Sequence, residues 1–371
     1  MIIGIDLSAI PYGTGVSNYT SNLIKNLVRL DKKNTYKLFF SSRRLNLPQD
    51  IENLAKYKNV KFFKYKYPIR LLEILWNHLR LFPIENFIGD CDIFHCSDWT
   101  QAPSKKAKTV TTIHDLIPFL HPEWSNSKIV SAHKAKMQQA VKHCAYFICV
   151  SQNTKNDLTK LFPKITTNKI SVVYEAAEEK FDKAKIGKSP IMKKQYGLEK
   201  YFLVQGTREP RKNISRIIEA FSLFKQKNPK CKYELAISGK YGWGDDVMKY
   251  KNSDIKILGY IPEKDIVALH ANASALVYPS LYEGFGLPVI KSMKVGVPVI
   301  TSINSSMSEI TQDSAILVNP YSVSEIASAF EKICKNPQLR IKLSTLALKI
   351  AKNFSWTKTA QATLGIYQKM L

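Results

Sequence analysis

No apolar stretch in the sequence approaches the roughly 20 residues that a membrane-spanning helix needs, although 45% of the 371 residues are hydrophobic. A transmembrane helix is therefore not expected. The start, Met1-Ile2-Ile3-Gly4-Ile5-Asp6, has no basic flank, no long apolar run and no small-residue cleavage site. It reads as a first strand rather than a signal peptide, so export is not expected. None of the six cysteines (Cys91, Cys96, Cys144, Cys149, Cys231, Cys334) forms a C-x-x-C pair, and most sit in apolar or strand-like contexts. Reduced, buried thiols of a cytoplasmic protein are expected rather than disulfides or structural zinc. Low-complexity segments and short-period repeats are also missing. Acidic residues are scarce: 30 Asp and Glu stand against 55 Lys and Arg, a net charge of +25. Such an excess predicts attraction to a polyanion. Anionic lipid, phosphorylated small molecules and nucleic acid compete for that role, beside the plain reading of scattered, solvated lysine.

What is present is a regular alternation. Strand-like runs (Ile2 to Leu7, Tyr36 to Phe40, Val60 to Tyr65, Asp92 to Cys96, Thr109 to Ile113, Tyr146 to Val150, Ile170 to Val173) alternate with helical patterns in the first half. The second half repeats the scheme with Tyr201 to Gln205, Tyr233 to Ser238, Ile255 to Leu258, Ala275 to Tyr278, Val297 to Thr301 and Ala315 to Val318. This is α/β architecture, and the length suits two domains of similar size. Between Asp182 and Lys200 the pattern dissolves into Lys, Gly, Ser and Pro, which places a linker there. The expected units are 1–185, 186–353 and a closing helix, 354–371, packing back toward the first domain. Each half reads as a doubly wound parallel sheet. Ligands of such sheets bind outside the carboxyl ends of the strands, and two sheets facing each other make a cleft.

Two loops in the second half carry the clearest chemistry. In Tyr278-Pro279-Ser280-Leu281-Tyr282-Glu283-Gly284-Phe285-Gly286-Leu287-Pro288 a strand ends, a glycine-containing loop turns, and a proline sits just inside a new helix. The backbone N–H groups of Phe285, Gly286 and Leu287 would point outward at a positive helix end and cradle a diphosphate. Glu283 would stand at the lip, where its carboxylate can accept from sugar hydroxyls. The plainer reading is a turn that uses glycine for positive φ. In Gln205-Gly206-Thr207-Arg208-Glu209-Pro210-Arg211-Lys212-Asn213 three cations fall within five residues, between a strand and a helix. Cations there oppose the helix dipole and call for an anion, which Arg can grip bidentately and Lys as a point charge.

The first half is less explicit. Tyr12-Gly13-Thr14-Gly15-Val16-Ser17 follows the opening strand, but a dinucleotide fingerprint would need a third glycine. It remains a loop that lets backbone approach a phosphate or sugar. Thr112-Ile113-His114-Asp115-Leu116 ends another strand and puts His114 and Asp115 at the expected cleft rim; a lone histidine there can equally be structural. Asp90-Cys91-Asp92 formally matches a D-x-D metal motif, yet it precedes a buried-looking strand and reads as the strand's start. With no other carboxylate cluster, neither a metal nor a cofactor is expected.

In their order and spacing these segments resemble the family 4 glycosyltransferases of GT-B fold, over essentially the whole chain. The residues that carry the resemblance are Gly13-Thr14-Gly15, Thr112 to Pro118 with His121-Pro122-Glu123-Trp124, Gly206 to Asn213, Gly239 with Gly242-Trp243, Gly259-Tyr260-Ile261-Pro262, Glu283 to Pro288, and Phe354-Ser355-Trp356. Within the family the chain looks most like mannosyltransferase-type enzymes of bacterial surface polysaccharide synthesis, such as lipopolysaccharide O-antigen. The resemblance implies a retaining, metal-independent transfer of a hexose from a nucleotide-sugar donor to a glycan or lipid-linked acceptor, with GDP-mannose as the leading donor. Gly15 would approach the donor phosphate or the acceptor, and His114 the transferred sugar. Arg211 and Lys212, with Arg208 as a third, would hold the diphosphate. Tyr260 and Ile261 would hold the base through backbone contacts. Glu283 matches the first Glu of the family's paired-Glu motif, but Lys291 stands where the second should accept both ribose hydroxyls. Lysine only donates, so the departure also motivates a non-catalytic scaffold, unless an acceptor such as Glu309 compensates.

Net charge also motivates a nucleic-acid binder, but no known binding module is present and nucleic acid is not the expected partner. An anionic membrane is. Lys61-Phe62-Phe63-Lys64-Tyr65-Lys66-Tyr67, then Arg70 to Phe82 with Trp76, interleave cations and aromatics. They predict peripheral docking of a cytoplasmic protein on the inner face of the cell membrane. A strand and an amphipathic helix packed on the sheet would give the same pattern.

Overall fold

The computed structural model describes residues 1–182, 190–244 and 246–371. The chain forms two units, Met1–Glu175 with Ser355–Leu371, and Ala176–Phe354.

The first unit is built on seven strands: β1 (Ile2–Asp6), β2 (Thr35–Ser41), β3 (Val60–Tyr65), β4 (Ile93–Cys96), β5 (Lys108–Ile113), β6 (Tyr146–Cys149) and β7 (Ile170–Val172). All pair in parallel in the order β3-β2-β1-β4-β5-β6-β7. Parallel strands covered on both faces read as near-continuous apolar runs, and Ile93-Phe94-His95-Cys96 is buried throughout. The order reverses direction between β1 and β4, which opens a crevice beyond their carboxyl ends. Gly4 is required there by packing: a Cβ on it would lie 2.6 Å from Phe94 and 2.7 Å from Ile88. Asp92, in the D-x-D match, accepts from the Ile2 backbone N–H at 2.7 Å and so pins the start of β1. The closing helix Trp356–Met370 belongs to this unit. Its Tyr367 is fully buried, with the hydroxyl 2.6 Å from His95 Nδ1, and Trp356 meets the Tyr19 ring edge-on at 5.9 Å.

The second unit holds six parallel strands: β8 (Tyr201–Gln205), β9 (Glu234–Ser238), β10 (Ile255–Gly259), β11 (Ala275–Tyr278), β12 (Val299–Ser302) and β13 (Ala315–Val318), in the order β10-β9-β8-β11-β12-β13. Phe202, Phe221, Phe224 and Phe330 pack ring against ring in its core. Here the order reverses between β8 and β11. The loops that leave these two strands, Gly206–Asn213 and Pro279–Gly286, therefore emerge side by side at the switch point.

The expected boundary at 185/186 falls among residues 183–189, outside the described residues. The structure divides the chain earlier, after Glu175, because the residues just beyond it pack on helices of the second unit. Phe181 is fully buried and meets His270 edge-on at 5.5 Å. Within the lysine-rich stretch expected as linker, Ile191–Tyr196 forms a short helix that ends at Gly197 with a left-handed φ of 66°. Burial of Met192 and a 2.8 Å bond from the Tyr196 hydroxyl to Asp265 hold it, contacts that composition cannot reveal. All six cysteines are free thiols, as expected, and two of them depart from the expected burial. Cys91, Cys96, Cys144 and Cys149 are buried, whereas Cys231 and Cys334 are half-buried with their sulfurs 3.4 Å apart.

Candidate active site

A tight charged cluster forms where the loops after β8 and β11 meet. Pro210–Lys212 make a single 3-10 turn, and Asn213 reverses the chain at φ 60° into the helix Ile214–Lys227. Asparagine tolerates this left-handed geometry better than most residues. Its side-chain amide donates to the Pro279 and Pro320 carbonyls at 3.0 and 2.6 Å, tying the cation loop to the loop after β11. The Leu281 N–H donates to the Arg211 carbonyl at 2.8 Å, a second tie.

Between these ties the Arg211 guanidinium donates to Glu209 at 2.8 Å and to Glu283 Oε2 at 2.7 Å. Lys212 donates to Glu283 Oε1 at 2.6 Å and to the Tyr278 hydroxyl. One carboxylate thus holds both cations. Burial pushes the Glu283 carboxyl up, but Arg211 and Lys212 outweigh it and hold the pKa at about 2. Burial lowers Lys212, and neighbouring Arg211 lowers it further. The Lys212 side chain runs alongside Gly206, its Cε 3.5 Å from where a Cβ would be, an ordinary packing distance.

From Glu283 the chain runs into the helix Leu287–Lys294, with proline in its first turn. Gly286 is its N-cap at φ 97°, a backbone conformation that favours glycine, and the flexible end of Met307 would have to move from a Cβ placed there, its Cε lying 2.4 Å away. The Ser306 hydroxyl bonds the Glu283 and Phe285 carbonyls at 3.0 and 3.2 Å, and the Glu283 N–H donates to Ser305 Oγ at 3.2 Å. Phe285 buries its ring edge-on against Phe354. Only its backbone is left for the loop's outer side.

Beyond Gly259, at φ 66°, Tyr260 is 61% exposed while Ile261 is buried. Lys291, in the second turn of the Leu287–Lys294 helix, lies 3.5 Å from Glu178 Oε2 and over the Phe181 ring. Burial raises the Glu178 carboxyl, but Lys291 overcomes this and holds it below its ordinary range.

In the first unit His114 follows β5, with Nδ1 2.8 Å from Glu175 Oε1 and its ring edge-on to Tyr19 at 4.7 Å. Burial alone would lower its pKa; the bond to Glu175, with Asp98 and Asp115 nearby, outweighs that and raises it. Thr14 caps the helix Gly15–Leu30 in a reciprocal capping box with Ser17. Open space adjoins Gly15, where an added Cβ would meet nothing within 4 Å.

Residues 13–178 match the Glycosyltransferase Family 4 family, and residues 189–349 match Glycosyl transferases group 1. Together they span nearly the whole chain. The chain belongs to the GT-B glycosyltransferases. It is 27% identical over 367 residues to O-antigen chain mannosyltransferase B of Escherichia coli, covering 96% of each chain. Its fold matches sucrose-phosphate synthase of Thermosynechococcus elongatus at a TM-score of 0.76 and 15% identity, covering 100% of this chain and 99% of the other. It also matches Anabaena HepE in complex with UDP-glucose at 0.71 and 16% identity, covering 99% of each.

In this glycosyltransferase Arg211, Lys212, Glu283 and the backbone leading through Phe285 and Gly286 to Leu287 come together. Two expectations change. Glu283 is not at a lip: it is 5% exposed and bonded to both cations. The anion that the cation loop calls for is supplied by the protein itself, as Glu209 and Glu283. Arg208 does not join them. Its guanidinium lies over the Tyr241 ring, 5.2 Å from the centroid. The carboxylates missed by sequence reasoning, Glu175, Glu178 and Glu209, each acquire their role from a partner. Glu209 alone had a local signal, its place beside Arg211. Among the described residues no group of three or more His, Cys, Asp or Glu could hold a metal ion, and no helix is long and apolar enough to cross a membrane.

Trp76, expected on a membrane-facing surface, is fully buried with its Nε1 donating to the Phe82 carbonyl at 3.0 Å. Val60–Tyr65 is the edge strand β3, with Lys61 and Lys64 exposed. The exposed large apolar side chains within these two segments are Tyr67, Leu71, Ile74, Leu79, Leu81 and Phe82.

Proposed function

We propose that this glycosyltransferase moves a hexose, with GDP-mannose as the leading donor, onto a glycan or lipid-linked acceptor of a bacterial surface polysaccharide, with retention of configuration and without a metal. The observation that carries the reading is the convergence of Arg211 and Lys212 on one carboxylate beside a helix N-terminus at the switch point of the second sheet. The mannose assignment draws on the name of the E. coli relative, and the nucleotide sugar on the UDP-glucose in the HepE structure. The C1–O bond to the diphosphate breaks. The acceptor oxygen bonds to C1 from the same face, and its proton passes to the departing diphosphate. Arg211, Lys212 and the backbone amides from Phe285 to Leu287 stabilise the negative charge that develops, the term that is commonly largest in catalysis. Glu283 orients both cations before the donor arrives and exchanges part of their hydrogen bonding for the diphosphate. His114, its Nδ1 fixed by Glu175, directs Nε2 to the transferred sugar. Gly15 gives the donor or acceptor close approach to backbone. Tyr260 and Ile261 meet the base.

The acceptor end of the proposal uses the membrane. Leu71, Ile74, Leu79, Leu81 and Phe82 are exposed next to Arg70 and Arg80, and Arg80 and Phe82 both hold φ at 56°, outside the range comfortable for their side chains. The strained turn is fixed by the Trp76 bond to Phe82 and by Arg80 Nη1 donating to the Gln101 carbonyl at 3.1 Å. Apolar tips flanked by cations suit shallow insertion into an anionic leaflet.

Transfer measured with purified protein and a panel of nucleotide sugars tests the reading. Thermal shift first identifies the donor, since a ligand of the folded state alone raises apparent stability. Lys212→Ala and Glu283→Ala are expected to lower transfer by about 100-fold or more. Full activity in both variants would refute the assignment.

A further inference from the structure

Two cysteines of the second unit lie close enough to react with each other. Cys231 precedes β9, and Cys334 sits in the last turn of the helix Val323–Lys335. They are 103 positions apart in the chain, yet their sulfurs are 3.4 Å apart. Bonded sulfurs are about 2.05 Å apart, so the pair falls short by roughly 1.4 Å, a gap that small rotations of the two side chains close. Cys91, Cys96, Cys144 and Cys149 are buried and shielded from any solute, whereas Cys231 and Cys334 are half-buried and within its reach.

The backbone holds both residues in place. The Cys231 N–H donates to the Asn228 carbonyl at 2.9 Å, and the Cys231 carbonyl accepts from Lys225 Nζ at 2.7 Å. On the helix side the Asn336 N–H donates to the Lys332 carbonyl at 3.1 Å, and Arg340 Nη1 donates to the Ile333 carbonyl at 2.9 Å. A reacting partner held at contact distance acts at a high effective concentration. Burial, and then the neighbouring Cys231 sulfur, push the Cys334 thiol up to about 11, although Arg340 and Lys335 pull the other way. The thiolate is the reactive form. Cys334 therefore reacts second, from within the pair, and Cys231 meets the solute first.

We propose that Cys231 and Cys334 are an oxidation site, at which a small-molecule disulfide closes a reversible staple within the second unit. Cys231 gives up its proton, and its sulfur attacks the added disulfide, forming a mixed disulfide and releasing one thiolate. Cys334 then loses its proton and displaces the second thiolate, so the Cys231–Cys334 bond forms as the mixed disulfide breaks. Two electrons pass from the cysteine pair to the added disulfide, and the two protons go to the released thiolates. The bond joins the entry to β9 to the end of a helix and closes a long loop, which restricts the unfolded chain.

Glutathione disulfide added to the full-length protein tests the site. After the remaining thiols are alkylated and the protein is digested without reduction, mass spectrometry is expected to find the peptides carrying Cys231 and Cys334 linked. The midpoint of thermal unfolding should rise by about 5 °C or more and return on addition of dithiothreitol. Cys334→Ser should stop at a glutathione adduct on Cys231, and oxidant should raise the midpoint of neither Cys334→Ser nor Cys231→Ser. A cooperative transition of each reduced variant shows that it is folded. Three results would overturn the proposal: both cysteines still open to alkylation, separate glutathione adducts with no linked peptide, or a linked protein whose midpoint does not rise. No sugar donor enters these measurements, so a failed transfer assay leaves the test intact.

Discussion

Glu283 and His114 show how a single charged residue is set by its partners. The Glu283 pKa of about 2 lies below the ordinary carboxylate value of about 4.3. Its pairing with Arg211 and Lys212 therefore contributes full stability above that value and loses it as pH falls toward 2. His114 behaves in the opposite sense. Its raised pKa makes the pairing with Glu175 fully stabilising below about pH 6.5, with the contribution lost as pH rises through the elevated folded value. Glu175→Gln removes the carboxylate that raises it, so the His114 ring should titrate at lower pH than in the native protein, as followed by NMR of the imidazole protons. An unchanged titration would show that Glu175 does not control the ring. Arg211, Lys212, Glu283 and His114 are legible in the sequence because each ends or follows a strand in a motif-like run. Glu175 and Glu178 are not, because their partners lie far along the chain and only folding brings them into contact.

At the scale of elements, each of β1 to β13 overlaps a strand-like run in the sequence, most plainly in central strands such as β4 and β11, which are buried throughout and leave an almost unbroken hydrophobic trace. Segments whose burial depends on one or two side chains are less visible. The helix Ile191–Tyr196 hides among lysines, and Trp76 turns inward through a π-helical turn over Ile74–His78 that no periodicity announces. The helix Leu287–Lys294 is legible through its proline, whereas the demand for glycine just before it comes from a backbone φ of 97° that only the folded loop fixes. Gly286→Ala combines left-handed strain with a collision against Met307 Cε. It is expected to destabilise the protein by about 1–3 kcal/mol, read as a lower midpoint of thermal or urea unfolding. An unaltered midpoint would mean that the turn relaxes freely.

For the whole molecule the excess of +25 becomes a testable force once it has an apolar surface beside it. The protein is expected to co-sediment with vesicles containing anionic lipid and to release as salt shortens the Debye length from about 10 Å at 0.1 M to about 3 Å at 1 M. Replacing Leu81 and Phe82 together by Asp should weaken this binding about tenfold. Sedimentation independent of anionic lipid content would sink the docking model. The order of strands and loops, and with it the family, was determined by the sequence alone, because periodicity and turn chemistry are local properties written residue by residue. Which cation meets which carboxylate, why Arg208 leaves the donor cluster for Tyr241, and which apolar side chains remain in water were decided only by tertiary structure. Each of those outcomes depends on distances between residues remote in the chain, which packing of the sheets and helices sets.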